Sequence, residues 1–147
     1  MDQSMADKVC LITGSTRGIG RAIAQALAQR GVTVVLVARS PMAGEIVATE
    51  LQEATGNHAI SSLQGALASQ GSIRQLAAEF RRRHDRLHFL VNCAGVFKGR
   101  RELSPDGIEL MFATNHLGYF LLTHLLLDTL KASAPATVLN VTAPSTT

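Results

Sequence analysis

The segment Thr13-Gly14-Ser15-Thr16-Arg17-Gly18-Ile19-Gly20 holds the first residues whose types and spacing suit chemistry. Its glycines follow the pattern Gly-x-x-x-Gly-x-Gly. Each has a separate task when a backbone must wrap a phosphate. Gly14 permits a sharp turn, Gly18 leaves room for a pyrophosphate, and Gly20 lets a following helix pack close to the preceding strand. The start of such a helix offers unpaired N–H groups and a partial positive charge. Gly14, Ser15, Thr16, Arg17, Gly18, Ile19 and Gly20 are therefore expected to hold a dinucleotide, provided a strand precedes the turn and a helix follows it. Without that context the same residues make only a tight turn.

The required context is legible. Val9 to Thr13 is a short apolar run that suits a buried strand. Ile19, Ala22, Ile23, Ala26 and Leu27 then recur at helical spacing, and Gly31 supplies a stop. Val32 to Val37 is apolar without alternation, as in a strand covered on both faces. Ser40-Pro41 starts a second helix that Gly56 ends, and a weaker strand spans Ala59 to Leu63. Ser72 to Gln75 has the spacing of a capping box and predicts the start of a third helix. Leu87 to Asn92 reads as a fourth strand. Ser104-Pro105 is expected to cap one long helix running towards Lys131, and Thr137 to Val141 forms a fifth strand. Strands alternating with helices imply a parallel sheet covered on both faces. Residues 1–6 are read as a tail and 7–147 as one unit.

Two further positions bear on chemistry. Sites that hold a dinucleotide with free ribose hydroxyls usually place a carboxylate after the second strand. Here that position reads Val37-Ala38-Arg39. Ala38 removes the carboxylate, and Arg39, with Arg17 in the glycine turn, adds planar donors suited to a 2′-phosphate. NADP(H) is expected over NAD(H). Ile108, Met111, Phe112 and Asn115 fall on one helical face, so the Asn115 amide should project among apolar residues and need buried partners. An active-site role and a structural bond to nearby backbone both meet that need.

Composition excludes other classes. Apolar residues make up 46% and charged residues 17% of 147, so disorder is excluded. A net charge of +3 is too mild to imply a nucleic-acid partner, and Arg81-Arg82-Arg83 with Arg86 has no interleaved aromatics. The five histidines form no ligand set, so no metal is expected. Cys10 and Cys93 are isolated thiols, which favours a reducing, cytoplasmic compartment. A packed small residue is favoured over a reactive thiol for Cys93. No stretch is long and apolar enough to span a membrane, because His124 and Asp128 interrupt the most apolar helix.

Three motifs resemble the short-chain dehydrogenase/reductase family, retinol-dehydrogenase-like subgroup. They are the glycine turn, Asn92-Cys93-Ala94-Gly95, and Thr114-Asn115-His116-Leu117-Gly118-Tyr119-Phe120-Leu121-Leu122-Thr123. The resemblance implies an α/β fold, a Rossmann-type doubly wound parallel sheet of five strands in the order 3-2-1-4-5, incomplete at its C-terminal side. It implies hydride transfer between a nicotinamide and a carbonyl or alcohol, catalysed by Asn, Ser, Tyr and Lys. Asn115 matches the family's Asn, and Leu67, Asn92, Ala94 and Gly95 fall at cofactor-contacting positions.

The sequence also departs from that pattern. Ala66 stands where the subgroup often has an Asp that meets the adenine amino group. Cys93 replaces an Asn. Ala143 stands at the position of the catalytic Ser, with Thr142 and Ser145 nearby, and no Tyr-x-x-x-Lys occurs before the chain ends at Thr147. The expectation is an NADP(H)-dependent oxidoreductase of this family, not competent as these 147 residues. The alternatives are a catalytically silent NADP(H)-binding module and a fragment that needs a partner to fold. Surplus leucines on the last helix and an open edge at the fifth strand imply self-association.

Overall fold

The central apolar runs of the sequence become strands that are covered on both faces. In the computed structural model, which describes residues 5–143, the order is β1 (Val9–Ile12), α1 (Gly18–Gln29), β2 (Thr33–Ala38), α2 (Pro41–Thr55), β3 (Ile60–Gln64), α3 (Gln70–Arg83) and β4 (Phe89–Asn92). Then follow α4 (Leu110–Phe112), a π-helical turn (Ala113–Leu117), α5 (Gly118–Leu125), α6 (Leu127–Ala132) and β5 (Thr137–Asn140). The five strands form one parallel sheet in the order β3-β2-β1-β4-β5, a Rossmann-type arrangement as expected.

Alternation along each strand sorts its side chains between two cores. Leu11, Val35, Leu63 and Leu90 pack with Ile73, Leu76 and Phe80 of α3 and Leu122 of α5. Cys10, Ile12, Val34, Leu36 and Val91 pack with Ala24 of α1 and Val47 and Leu51 of α2. The sheet is therefore covered by α1 and α2 on one face and by α3 and α5 on the other. Polar side chains fix the joints. Asn57 Nδ2 donates to the carbonyls of Ala28 and Val32. His88 Nδ1 accepts from Val9 N–H at 3.0 Å, tying β4 to the start of β1.

Several boundaries differ from the sequence reading. The α3 N-cap is Ser69, whose Oγ accepts from Ser72 N–H, so the Ser72–Gln75 spacing lies inside the helix. Ser72 Oγ is instead occupied in accepting from Ala66 N–H. Ser104-Pro105 caps no helix. Ser104 Oγ accepts from Ile108 N–H and Leu103 bridges Glu109, so this stretch is a tight turn. The helix starts at Leu110, capped by the Glu109 carboxylate on Met111 and Phe112 N–H. It is also not continuous, because the π turn and a break at Leu126 divide it. Met5, assigned to the tail by sequence, packs against the α1–α2 core, while residues 1–4 lie outside the described residues. Among the described residues, no helix is long and apolar enough to cross a membrane.

Candidate functional site

The glycine turn takes its shape from two close backbone approaches that side chains would spoil and from one open position. Gly14 has φ +62°, and a Cβ there would lie 2.6 Å from the backbone of Ala94. A Cβ on Gly20 would overlap the carbonyl oxygen of Gly14. Gly18 has φ +60° and nothing within 4 Å of its Cβ position, so it borders open space. α1 then begins without a side-chain cap at Arg17 and without an acidic residue in its first turn. Its first N–H groups are left for a ligand.

Two buried hydroxyls draw neighbouring segments to this turn. Thr13 Oγ1 accepts from the N–H groups of both Cys93 and Ala94, at 3.0 and 3.1 Å. Ser15 Oγ donates to the Val37 carbonyl at 3.3 Å. The carboxyl ends of β1, β2 and β4 thereby enclose a groove of about 670 Å³, at the point where strand order reverses about β1.

Gly14, Thr16, Arg17, Gly18, Ile19 and Gly20 line the groove, and so do Arg39, Leu67, Ala94 and Gly95. The other expected residues do not. Ser15 is buried beneath the turn. Asn92 is buried, its Nδ2 donating to Asn140 Oδ1 and Thr123 Oγ1, so it ties β4 to β5 and α5. Asn115 is exposed rather than set among apolar side chains. Its Oδ1 accepts from Val96 N–H at 2.9 Å and its Nδ2 donates to the Val96 carbonyl at 2.8 Å. The π turn, in which Gly118 N–H reaches back to the Ala113 carbonyl, breaks the regular helical spacing on which the buried reading rested.

The groove has a distinct chemistry. Arg17, Arg39 and Lys98 line it, and no carboxylate does. Neither Arg17 nor Arg39 has an ion-pair partner among the described residues. Cys93 lines the groove as a thiol whose pKa burial raises, so it is not an activated nucleophile. Tyr119, the chain's one tyrosine, gives its hydroxyl hydrogen to the Ala94 carbonyl at 2.6 Å. Burial, then the neighbouring Cys93, pushes its pKa up to about 12, so it is a structural donor and no proton shuttle. Ala143 and Thr142 are both exposed, and Ser145 lies outside the described residues.

Sequence reasoning missed Thr13, whose role shows only once β4 lies beside β1. It also missed Thr114, which is 5% exposed, lines the groove and has a hydroxyl without a partner. Phe97 and Lys98, also in the lining, follow the Asn92–Gly95 motif without any pattern of their own. A lining with cations and no carboxylate suits an anionic ligand. The space beside Gly18 is open, and the groove is lined by the cations Arg17, Arg39 and Lys98 and by Gly65, Ala66, Leu67 and Ala68.

Comparison with known proteins agrees with this geometry. The family model described as short chain dehydrogenase matches residues 8–147. The chain is 44% identical over 134 residues to retinol dehydrogenase 11 of Mus musculus, covering 91% of this chain and 42% of that protein. It is 41% identical over 127 residues to polyprenol dehydrogenase of Homo sapiens, covering 86% of this chain and 38% of that one. Among solved structures, a metagenomic short-chain oxidoreductase in complex with NADP superposes with a TM-score of 0.83 at 29% identity, over 97% of this chain and 65% of that chain. An alcohol dehydrogenase from the archaeon Thermococcus sibiricus, complexed with 5-hydroxy-NADP, superposes with a TM-score of 0.77 at 32% identity, over 89% of this chain and 56% of that chain. The chain thus spans less than half the length of the curated relatives it matches. With the family model matched from Lys8 to Thr147 and the glycine turn, groove and strand order in agreement, the chain belongs to the short-chain dehydrogenase/reductase family of oxidoreductases, which bind nicotinamide dinucleotides.

Proposed function

We propose that this chain binds NADP(H) in its groove, in preference to NAD(H), as the cofactor-holding part of a carbonyl/alcohol oxidoreductase. The observation that carries the preference is the pairing of Arg17 and Arg39 in a groove that no carboxylate lines, with Ala38 where a ribose-binding carboxylate would stand. A guanidinium fork donates two hydrogen bonds at once to a phosphate. Two of the similar structures are complexes with NADP or a modified NADP, which supports the reading.

A bound nicotinamide would supply or accept a hydride. The chain's own residues would bind and orient. Gly18 and the α1 N–H groups hold the pyrophosphate, Arg17 and Arg39 the 2′-phosphate, and Leu67 packs on the adenine side. Reduction of a carbonyl also requires a proton at the new alkoxide. Tyr119 has its hydroxyl committed to Ala94, and the side chain of Ala143 has no donor. The proposal is therefore binding without turnover by these 147 residues. In a longer chain the reaction would be hydride transfer to small-molecule carbonyls or from alcohols, and two similar proteins are named for polyprenol and retinol. Cys10, pushed up to about 12 by burial and unpaired like Cys93, suits a reducing, cytoplasmic setting. The exposed β5 and Phe120 of α5 favour self-association.

The test combines two readouts on the 147-residue chain. NADPH should raise its melting temperature by mass action, while adding an aldehyde should produce no NADPH oxidation. An unmoved melting temperature contradicts the binding, and aldehyde-dependent oxidation that survives repurification contradicts the lack of turnover.

A further inference from the structure

Tyr119 of α5 does not line the groove, yet its hydroxyl holds a residue that does. It donates to the Ala94 carbonyl at 2.6 Å, and the Val141 carbonyl lies 3.4 Å from the same oxygen. Ala94 and Val141 both line the groove, the first after β4 and the second after β5. A phenol has one hydrogen to give, so the shorter contact is the bond. On the other side of the same residue, Thr13 Oγ1 accepts from the Ala94 N–H at 3.1 Å. Both backbone groups of Ala94 are thereby held, one by the residue after β1 and the other by α5. Val141 N–H donates to the Asn92 carbonyl at 2.9 Å and carries the ladder one residue past β5.

Packing needs only the ring. Tyr119 is half-buried against the core that contains Leu122 and Leu126, and a phenylalanine would fill the same space. The hydroxyl adds a bond whose effect falls on one wall of the groove. Arg17 and Arg39 stand at the β1–α1 turn and just after β2. Ala94 and Val141 follow β4 and β5, which lie on the other side of β1 in the sheet. A dinucleotide with its pyrophosphate at the glycine turn extends one half towards each side. With the 2′-phosphate at the arginines, the nicotinamide half falls on the wall that Ala94 and Val141 provide.

We propose that Tyr119 is a positioning residue for the nicotinamide half of the dinucleotide, its hydroxyl fixing the wall at Ala94 through the bond to that carbonyl. The proposal rests on the reading of the groove as an NADP(H) site. A wall fixed before binding does not have to be ordered by the ligand, so the hydroxyl contributes affinity without touching it. The contribution falls on one end of the ligand, because the hydroxyl meets Ala94 and Val141 and no residue of the arginine side. Loss of the hydroxyl therefore separates the two halves of the ligand, which a general loosening of the core does not.

Calorimetric titration with two ligands tests this on the 147-residue chain. NADPH carries both halves, and 2′,5′-ADP carries the adenosine half with its 2′-phosphate. Tyr119→Phe keeps the ring and should weaken NADPH binding about fivefold, as for one lost hydrogen bond, and 2′,5′-ADP binding by less than about twofold. Ser133→Ala is the control. Ser133 is buried and accepts from Leu87 N–H at the amino ends of the strands, so its loss should lower stability and leave both affinities unchanged. Melting curves read the stability of each variant. The chain has one tyrosine and no tryptophan, so its intrinsic emission reports Tyr119 alone. NADP⁺ should alter that emission and 2′,5′-ADP should not, which tests the placement without any substitution. Equal weakening of both ligands in Tyr119→Phe assigns the hydroxyl to general stability and overturns the proposal. So does an unaltered NADPH affinity, or a tyrosine emission that responds equally to the two ligands. An unaltered chain that binds neither ligand overturns the dinucleotide reading itself, and this proposal with it.

Discussion

Asn115 and Val96 face each other across the groove's rim through a pair of hydrogen bonds, at 2.9 and 2.8 Å. The side-chain amide presents one acceptor and one donor, as a neighbouring strand would, and so fixes the backbone just after Gly95. Replacing Asn115 by Ala should cost about 1–2 kcal/mol in urea denaturation, the value of two partly exposed hydrogen bonds. Asn115→Asp keeps the acceptor and loses the donor, and should fall between the two. Equal stability of all three chains would show that the pair is incidental.

Gly14 and Gly18 of the turn should separate by what surrounds them. Gly14→Ala combines a left-handed backbone with backbone atoms 2.6 Å from the new Cβ, and should cost at least about 2 kcal/mol. Gly18→Ala meets only the backbone penalty, about 1 kcal/mol, because nothing lies within 4 Å. Its larger effect should be weaker dinucleotide binding. Melting curves and titrations on the two variants read this split, and a Gly18 variant less stable than the Gly14 variant would contradict it.

His88 makes stability depend on pH. It is 3% exposed, and its Nδ1 accepts from Val9 N–H. Burial first, then the charges of Lys8 and Arg86, hold its pKa below the ordinary 6.5. The unfolded chain therefore takes up a proton at higher pH than the folded one. The stabilisation is complete above 6.5 and is lost as pH falls from there through the lower folded value. The half-buried His84, lowered chiefly by burial, adds in the same direction. Urea midpoints should fall between about pH 7 and 5, and His88→Gln, which accepts without titrating, should remove much of that slope. A slope unchanged in His88→Gln would assign it to other groups.

Self-association should run through α5 and β5. Leu122, Leu126 and Leu130 are buried against the sheet, but Phe120 is 66% exposed and every residue of β5 is exposed at the sheet edge. An apolar edge strand templates pairing with another chain. Light scattering should show mass above a monomer at micromolar concentration, reduced by Phe120→Arg with Leu139→Lys. A cooperative monomer would mean that the five strands close their own core.

The sheet was legible because buried parallel strands and their glycine stops are local patterns. Val9–Ile12 followed by the turn, and Ser40-Pro41 followed by α2, needed no tertiary information. The last third was less legible. Ser104-Pro105 carries the same capping signal as Ser40-Pro41, yet Ser104 spends its hydroxyl within a turn and Glu109 takes the capping role. The π turn left no trace in residue type, so the direction of Asn115 was misjudged. Arg17 and Arg39 could be matched because each sits beside a motif. Thr13 and Thr114 depend on what lies across from them, and sequence spacing does not report that.

We propose that Arg17 and Arg39 select the 2′-phosphorylated dinucleotide. Calorimetric titration of the chain with NADPH and with NADH, repeated on Arg39→Ala, tests it most directly. Charge-assisted contacts to a phosphate predict at least about a tenfold preference for NADPH, most of it lost in Arg39→Ala. Equal affinities for the two dinucleotides, or a preference that Arg39→Ala leaves unchanged, would contradict it.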